Sequence, residues 1–306
     1  MGTFVGVDGG GTRTTLVLAD EEGRELARRV GPAGLVDPRH PEATAAMLAE
    51  LTRGALADAS VDEPPLALFA GLAGVGNENE RRAVEGALAA AGVAERVTIG
   101  TDGNIALEGA LGGGPGILLI AGTGSVAYGR AENGRVERCG GWGMVVGDEG
   151  SGWAIGRAGL AAALRAADGR GAETRLLARF LELLSLDGPS AIPPWAGRAD
   201  KASVAALATE VVAAAEANDL VARGVLEREA RELACHAVAL ARHLEPWTVE
   251  IPVVFHGGVL GHPFYAELVT GALEEWEAEF AFRVRPPAAD AVHGALSFAR
   301  RMLQEA

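Results

Sequence analysis

Lysine is almost missing from this 306-residue chain, in which Lys201 is the only one. The absence excludes two common phosphate-binding arrangements. A Walker A loop needs a Gly-Lys pair followed by Ser or Thr, and a protein-kinase site needs a strand lysine that reaches the phosphates. The sequence around Lys201 fits neither pattern. Any triphosphate bound here would have to be neutralised by a metal ion, by backbone amides and by an arginine such as Arg13.

Basic side chains and cysteines are also scarce. There are 27 basic residues against 41 acidic ones, a net charge of −14, which is the wrong sign for gripping nucleic acid backbones. Cys139 and Cys235 are too few for a disulfide framework or a four-thiolate metal cage, and they suit a reducing cytoplasm. No secretory leader and no apolar run of roughly 18 residues is present. We therefore expect a cytoplasmic protein without nucleic acid or membrane partners.

Strand and helix patterns repeat along the chain. The first third predicts the order βββαβαβ, with elements at residues 3–8, 14–20, 24–30, 41–60, 66–72, 79–91 and 96–100, the last a buried strand. A second glycine-turned meander follows at residues 116–121, 125–131 and 135–140. Helices are predicted at residues 151–167, 170–184, 201–217, 219–244, 262–279 and 290–305, with strands at 251–258 and 281–286. Such a repeat predicts two similar lobes, 1–110 plus 290–306 and 111–289, with a hinge near residues 109–115.

The first glycine turn lies between two predicted strands. Three consecutive glycines at a strand end expose backbone amides without Cβ obstruction, which suits a closely approaching phosphate. Asp8 would repel that phosphate unless a cation lay between them, so it predicts a Mg²⁺ site. An ordinary tight hairpin is the alternative, and a Rossmann site fits less well because the glycines do not open a helix. The candidate phosphate-binding residues are Gly9, Gly10, Gly11, Thr12 and Arg13.

Two later glycine turns extend this pattern. The turn Gly122, Thr123, Gly124 and Ser125 offers the same amides and hydroxyl in the second meander, although most such turns only reverse the chain. At Gly257 and Gly258 the predicted strand at 251–258 runs into a turn, where the backbone can closely approach a purine or ribose. The first glycine turn and the turn at residues 122–125 lie at equivalent places in the two predicted lobes, so together they would bind a polyphosphate from both sides.

Two aspartates stand at positions where ligands collect. Asp102 follows a predicted strand and precedes a helix, so it is either a helix N-cap or a group that orients or deprotonates a hydroxyl. Asp148 lies in the glycine-rich segment 139–156. It either caps the helix that begins near Ser151 or accepts hydrogen bonds from sugar-type hydroxyls.

Taken in order, the motifs DGGGTRT, TDGNIAL, AGTGS, CGGWG with GDEGS, and HGGV resemble the acetate and sugar kinase, Hsc70 and actin superfamily. They are most similar to its N-acetylglucosamine kinase and BadF/BadG/BcrA/BcrD ATPase branch. The resemblance implies an α/β fold of two RNase H-like lobes around a central nucleotide and substrate cleft. It also implies that ATP binds both phosphate loops, that HGGV lies near the adenosine, that Asp102 is the base, and that Gly141 and Asp148 contact the sugar.

The function implied by this resemblance is ATP-dependent transfer of the γ-phosphoryl group to the 6-hydroxyl of an amino sugar or hexose. N-acetylglucosamine and glucosamine are the first candidates, and a homodimer is possible. Relatives tend to carry an asparagine near position 35, where this chain reads GPAGLVDPRH. Asp37 could replace it and would favour the ammonium of glucosamine. The loop at residues 71–80 is also expected near the sugar.

Two other functions stay open at this point. An ATPase that activates a reductase or dehydratase would need cysteines for a cluster shared across a dimer, in contexts unlike those of Cys139 and Cys235. A non-catalytic sugar sensor would need a DNA-binding appendage, and this chain starts directly at the first predicted strand.

Overall fold

The computed structural model describes residues 2–34, 36, 40–75 and 78–304. The chain forms two compact units, Met1–Gly114 with Pro287–Ala306, and Pro115–Pro286. Each unit contains one five-stranded mixed sheet with helices. Across the described ranges, no helix is long and apolar enough to span a lipid bilayer.

The first unit has the sheet order β3-β2-β1-β4-β5. Its first three strands form an antiparallel meander, and β4 and β5 run parallel to β1. The elements are β1 Thr3–Gly9, β2 Thr14–Asp20, β3 Glu25–Gly31, α1 Pro41–Ala59, β4 Ala67–Leu72, α2 Glu78–Ala90, β5 Arg96–Thr101, α3 Asp102–Leu111 and, from the end of the chain, α11 Ala291–Arg301.

Successive apolar side chains of the central strands in the first unit belong to two separate cores, one on each face of the sheet. Val5 and Val7 of β1 pack in a core with residues of α1 and α2. Phe4 of the same strand packs in a second core with Ile105 of α3 and Leu296 of α11. Because successive side chains of a strand point to opposite faces, a sheet covered on both faces needs apolar residues at nearly every position. The continuous apolar runs in the sequence therefore follow from helices on both faces.

The second unit repeats this strand order as β10-β9-β6-β7-β8. The strands β6, β7 and β8 form the meander, and β9 and β10 continue the sheet in parallel. The elements are β6 Gly116–Ala121, β7 Ser125–Arg130, β8 Val136–Gly140, α4 Gly152–Ala167, α5 Leu176–Leu183, α6 Ile192–Ala196, α7 Lys201–Ala206, α8 Ala208–Glu216, α9 Leu220–His243, β9 Ile251–His256, α10 Pro263–Glu274 and β10 Phe282–Arg285. The repeated α/β pattern predicted from the sequence is confirmed.

Several element boundaries differ from the sequence-based predictions. The helix expected from residue 170 begins only at Leu176, because Asp219 accepts hydrogen bonds from Thr174 and from the Arg175 amide and holds the preceding chain outside the helix. The helix predicted over 201–217 is interrupted at Leu207. The strand at 96–100, expected to be buried, is an edge strand whose first residue is exposed.

Candidate functional site

The first glycine turn closes the β1–β2 hairpin. Gly9 pairs with Thr14 across the hairpin, and the Gly10 amide donates to the Arg13 carbonyl at 3.0 Å. Gly11, Thr12 and Arg13 are exposed. Within residues 2–34, 36, 40–75 and 78–304, no protein acceptor bonds the amides of Gly11 and Thr12. The turn therefore presents unsatisfied N–H donors to solvent, as an anion site requires.

Backbone bonds from two neighbouring segments support this turn. The Gly34 amide donates to the Gly10 carbonyl at 2.9 Å, and the Ala73 amide donates to the Gly9 carbonyl at 2.8 Å. A side chain at Gly9 would lie 2.5 Å from Leu72 Cδ2, so the end of β4 approaches the turn closely. No sequence pattern predicts the role of Gly34, because its contact with the turn is made by backbone atoms only.

Asp102 lies on the same edge of the sheet as the first turn. Gly9 of β1 is in register with Leu72 of β4, and Leu72 is in register with Thr101 of β5, directly before Asp102. The two strand spacings between Gly9 and Thr101 amount to about 10 Å. This end of the sheet therefore presents the unsatisfied amides of the first turn and the carboxylate of Asp102.

The environment of Asp102 is open. It is the first residue of α3, it is exposed, and its Oδ1 accepts from the Gly103 amide at 2.8 Å. The cap of α3 is Thr101, whose hydroxyl oxygen accepts from the Asn104 amide at 3.1 Å. The alternative that Asp102 is the helix N-cap is therefore wrong. An exposed carboxylate at this position can accept a hydrogen bond from a ligand hydroxyl.

Asp8 is the next-to-last residue of β1, one position before the glycines. It is half-buried, and its register partners are Thr15 on β2 and Gly71 on β4. Among the residues that the structure describes, no group of three or more His, Cys, Asp and Glu side chains could hold a metal ion by itself. A cation bound at Asp8 would thus need further oxygen ligands from a bound small molecule and from water.

The second turn joins β6 to β7. The Gly122 amide donates to the Gly124 carbonyl at 2.9 Å, and Thr123 is exposed. The carbonyls of Gly122 and Thr123 accept from the first amides of α4, those of Gly152 at 2.8 Å and Trp153 at 3.3 Å. In a trans peptide the N–H points opposite to the C=O, so the Thr123 and Gly124 amides point away from α4. In the described part of the chain these two amides have no acceptor.

The paired glycines after β9 pack against this second turn. The amides of Val259 and Leu260 donate to the Ala121 carbonyl at 3.1 and 3.4 Å. Gly257 has φ +101°, and a side chain there would lie 2.5 Å from the Ala121 oxygen. Open space lies beside Gly258. The structure thus brings together two of the motifs that the sequence analysis selected separately.

Asp148 and Lys201 form an ion pair beside the second turn. Asp148 is 3% exposed and has φ +63°. Its Oδ1 accepts from the Ser125 amide at 3.1 Å, and its Oδ2 lies 2.7 Å from Lys201 Nζ. Both carboxylate oxygens therefore contact the chain itself, and the role of Asp148 as a sugar ligand remains a prediction.

The helix that follows Asp148 has a different cap. The Ser151 hydroxyl accepts from the Ala154 amide at 3.2 Å and donates to the Asp148 carbonyl at 2.6 Å. The expectation that Asp148 itself caps this helix is wrong. The same segment is tied to the turn by the Ser125 hydroxyl, which donates to the Glu149 carbonyl at 2.7 Å.

Side chains of α9 and α10 hold the glycine-rich segment around residues 140–150. The Gly150 amide donates to Glu229 Oε2 at 3.0 Å, and the Tyr265 hydroxyl donates to the Gly150 carbonyl at 2.9 Å. Burial raises the pKa of Glu229 above its ordinary value and raises the pKa of Tyr265 well above its own. Gly141 follows β8 directly, and the next residue, Trp142, is 68% exposed. The predicted sugar contact at Gly141 thus lies at the start of an anchored, exposed loop.

Solved structures define the class of protein to which this fold belongs. The ROK hexokinase of Thermus thermophilus has the same fold with a TM-score of 0.61 at 21% identity, and the match covers 99% of this chain and 100% of that chain. A candidate N-acetylglucosamine kinase from Chromobacterium violaceum is more similar, with a TM-score of 0.73 at 30% identity over 98% of this chain and 99% of that chain. The two units therefore have the α/β fold of the ROK and actin-like ATPase sugar kinases.

The family follows from the sequence match. The model of the BadF/BadG/BcrA/BcrD ATPase family matches residues 5–299, and the chain belongs to this family. It is 30% identical over 264 residues to the N-acetylmuramic acid/N-acetylglucosamine kinase of Clostridium acetobutylicum, covering 85% of this chain and 86% of the relative. It is also 31% identical over 203 residues to the N-acetyl-D-glucosamine kinase of Dictyostelium discoideum, covering 63% and 64%.

Proposed function

We propose that this protein is an ATP-dependent sugar kinase that transfers the γ-phosphoryl group to the 6-hydroxyl of an amino sugar or hexose. N-acetylglucosamine and glucosamine are the first candidate acceptors. The observation that carries the proposal is the edge of the first sheet, where the amides of Gly11 and Thr12 follow β1 and the carboxylate of Asp102 follows β5, two strands away, and both face solvent. The relatives that are kinases of N-acetylmuramic acid and N-acetylglucosamine support phosphorylation of a sugar.

Phosphoryl transfer requires alignment and charge stabilisation more than covalent help from the protein. We assign the phosphates of ATP to the amides of the two glycine turns, with Arg13 as a further cation and the Gly257–Gly258 turn beside the adenosine. The exposed turn amides supply donors at fixed positions, so they cost no reorganisation when charge moves onto the transferred group. This arrangement needs no Walker lysine.

The donor set at the first turn fits Mg²⁺. Asp8 supplies a hard carboxylate oxygen, and the ATP phosphates and water would supply the remaining oxygens that this ion prefers. Bound there, the ion would neutralise phosphate charge. Without a cation, the Asp8 carboxylate would repel the phosphates at the adjacent amides.

Asp102 orients the acceptor hydroxyl and receives its proton late in the reaction. A strong base is not needed, since the hydroxyl becomes acidic only as its oxygen bonds to phosphorus. Its exposed position at the start of α3 leaves room for a sugar. The predicted replacement contact from Asp37 lies outside the described residues, as do residues 76 and 77 of the loop expected near the sugar.

The proposal places the enzyme in the cytoplasm, where ATP is available. A cluster-dependent ATPase and a non-catalytic sensor are not favoured, since the curated relatives are sugar kinases. The homodimer stays a prediction that light scattering of the purified protein would test.

The proposal is tested by ADP release with glucosamine, N-acetylglucosamine, glucose, mannose, N-acetylmannosamine and N-acetylmuramic acid as acceptors. We expect release to depend on sugar and on Mg²⁺, and mass spectrometry to detect the phosphorylated sugar. A reaction without sugar is the control. Equal ADP release with and without every sugar would contradict the proposal.

A further inference from the structure

The only lysine of the chain lies against the second glycine turn. A methyl group placed on Gly124 would lie 2.6 Å from Lys201 Nζ and 2.6 Å from Asp148 Oδ1. The ammonium group therefore occupies the space directly beside the Gly124 backbone. Because the Gly124 amide has no acceptor in the described ranges, a positive charge and an unsatisfied donor stand side by side.

Helix packing holds Lys201 at this position. Lys201 is the first residue of α7, and α7 packs against the start of α4. A side chain at Gly156 of α4 would overlap the Val204 carbonyl oxygen, and one at Gly152 would lie 3.2 Å from the Ala205 carbonyl oxygen. The amide of Gly152 in turn bonds the Gly122 carbonyl. The backbones of the turn, α4 and α7 thus form one close-packed set.

The ion pair is oriented with its cation outward. The Asp148 side chain is 4% exposed, whereas the Lys201 side chain is 34% exposed. An ammonium group has three N–H donors, and one carboxylate oxygen cannot use all of them. The other Asp148 oxygen is bonded to the Ser125 amide, which ties the pair to the turn. The pair therefore presents positive charge at the solvent side of the turn.

We propose that Lys201 is a phosphate-binding residue, whose ammonium group contacts a phosphate oxygen of the nucleotide held by the turn at residues 122–125, while Asp148 fixes the ammonium in place. This assignment rests on the proposed function and adds a side-chain cation to the backbone amides. The sequence around Lys201 still fits neither a Walker A loop nor a protein-kinase site, because the proposed contact comes from tertiary packing. A role limited to neutralising Asp148 predicts no dependence on phosphate, so the two roles can be separated by experiment.

Selective labelling of the wild-type protein is the first test. An acetyl N-hydroxysuccinimide ester acylates amines, releasing N-hydroxysuccinimide and a proton, and Lys201 is the only side-chain amine present. We expect ATP and ADP to slow acetylation of Lys201 about 10-fold, as followed by mass spectrometry, and adenosine to leave it unchanged. The N-terminal amine of the purified chain is the internal reference. Equal labelling rates with adenosine and with ADP would overturn the assignment.

Substitution of Lys201 is the second test. We expect Lys201→Met to raise the Kd for ATP about 10- to 100-fold, the range for losing a charge-assisted hydrogen bond, and to change the Kd for adenosine less than 2-fold. Lys201→Arg should restore part of the affinity. Arg198→Met removes one exposed positive charge from the same segment and is the matched control.

The outcomes separate this inference from the proposed function. Equal losses of ATP and adenosine affinity in Lys201→Met would indicate a structural role and overturn the assignment. If Lys201→Met does not fold, the labelling of the wild-type protein decides. A wild-type protein that phosphorylates sugar while ATP fails to protect Lys201 would refute the lysine assignment alone. A protein whose Lys201 is protected by ATP but that transfers no phosphoryl group to sugar would refute the proposed function alone.

Discussion

Asp102 and Asp148 carry the same functional group in opposite environments. Asp102 is exposed at the first turn of α3, and its contact is with the neighbouring Gly103 amide. Asp148 is buried and engaged by the Ser125 amide and the Lys201 ammonium. An open carboxylate can exchange water for a substrate hydroxyl at little cost, whereas a buried, paired one would first have to break its existing contacts. The environments therefore favour Asp102 as the group that meets the acceptor.

Replacing the proposed base tests this difference. We expect Asp102→Asn to retain ATP binding while lowering the rate of phosphoryl transfer about 10²-fold or more, because the amide cannot accept the hydroxyl proton. Steady-state kinetics with the best sugar and a nucleotide-binding assay measure the two effects. Asp62→Asn, an exposed aspartate of the same unit, is the control. An unchanged transfer rate would show that Asp102 is not the base.

Close helix contacts through glycine determine how the elements pack. A side chain at Gly294 of α11 would overlap the Ile105 carbonyl oxygen of α3 and lie 2.6 Å from the Gly109 amide. The contact positions α11 over the core that contains Phe4 and Ile105. The helix that α11 contacts, α3, begins with Asp102. The last helix of the chain thus supports the helix that carries the proposed base.

A methyl group at this helix contact should be costly. We expect Gly294→Ala to lower the free energy of unfolding by about 1–3 kcal/mol, since overpacking forces the two helices apart. Urea unfolding followed by circular dichroism measures the effect. Gly86→Ala is the matched control, because Gly86 is also in a helix of this unit but has open space around it. That substitution should stabilise by about 0.5–1 kcal/mol, and equal effects of both would refute the packing argument.

At the scale of the whole molecule, the excess of acidic side chains is located mainly at the surface. The net charge is −14, and most carboxylates of the described residues lie at the surface, where water screens them. Glu229 is an exception, since it is 8% exposed and accepts from the Gly150 amide. Its pKa is raised, with burial as the largest cause, while the surrounding charges of Arg157 and Arg228 oppose the shift and Glu232 adds to it.

A raised carboxyl pKa has a defined consequence for stability. Below the ordinary glutamate pKa, Glu229 is protonated in both states, so its burial carries no charge penalty. As the pH rises through the raised folded-state pKa, the folded protein binds more protons than the unfolded one, and stability falls. We therefore expect the Tm of Glu229→Gln, relative to wild type, to increase as the pH rises from about 4.5.

Scanning calorimetry at a series of pH values measures this difference. Glu182→Gln, a substitution of an exposed glutamate on α5, is the control and should show no such trend. A Tm difference between Glu229→Gln and wild type that stays constant with pH would show that Glu229 has the same pKa in both states.

The sequence by itself determined the order of the elements and the family. Apolar, β-branched runs interrupted by glycine turns are local signals, and they placed both meanders and the strands around Asp102 within a few residues of their observed positions. The ordered motifs predicted the BadF/BadG/BcrA/BcrD family, which the match over residues 5–299 confirmed.

Only the tertiary structure decided which residues meet. The short helix α6 and the break at Leu207 depend on packing in the second unit, so a local pattern did not predict them. The approach of Lys201 to Asp148 and Gly124 requires α7 to pack on α4 through Gly156, a contact between distant residues that no local pattern encodes. Ion pairs and backbone contacts of this kind depend on three-dimensional proximity. The sequence could therefore show only that Lys201 fits no local phosphate-binding motif, whereas the fold places its ammonium group beside the second turn.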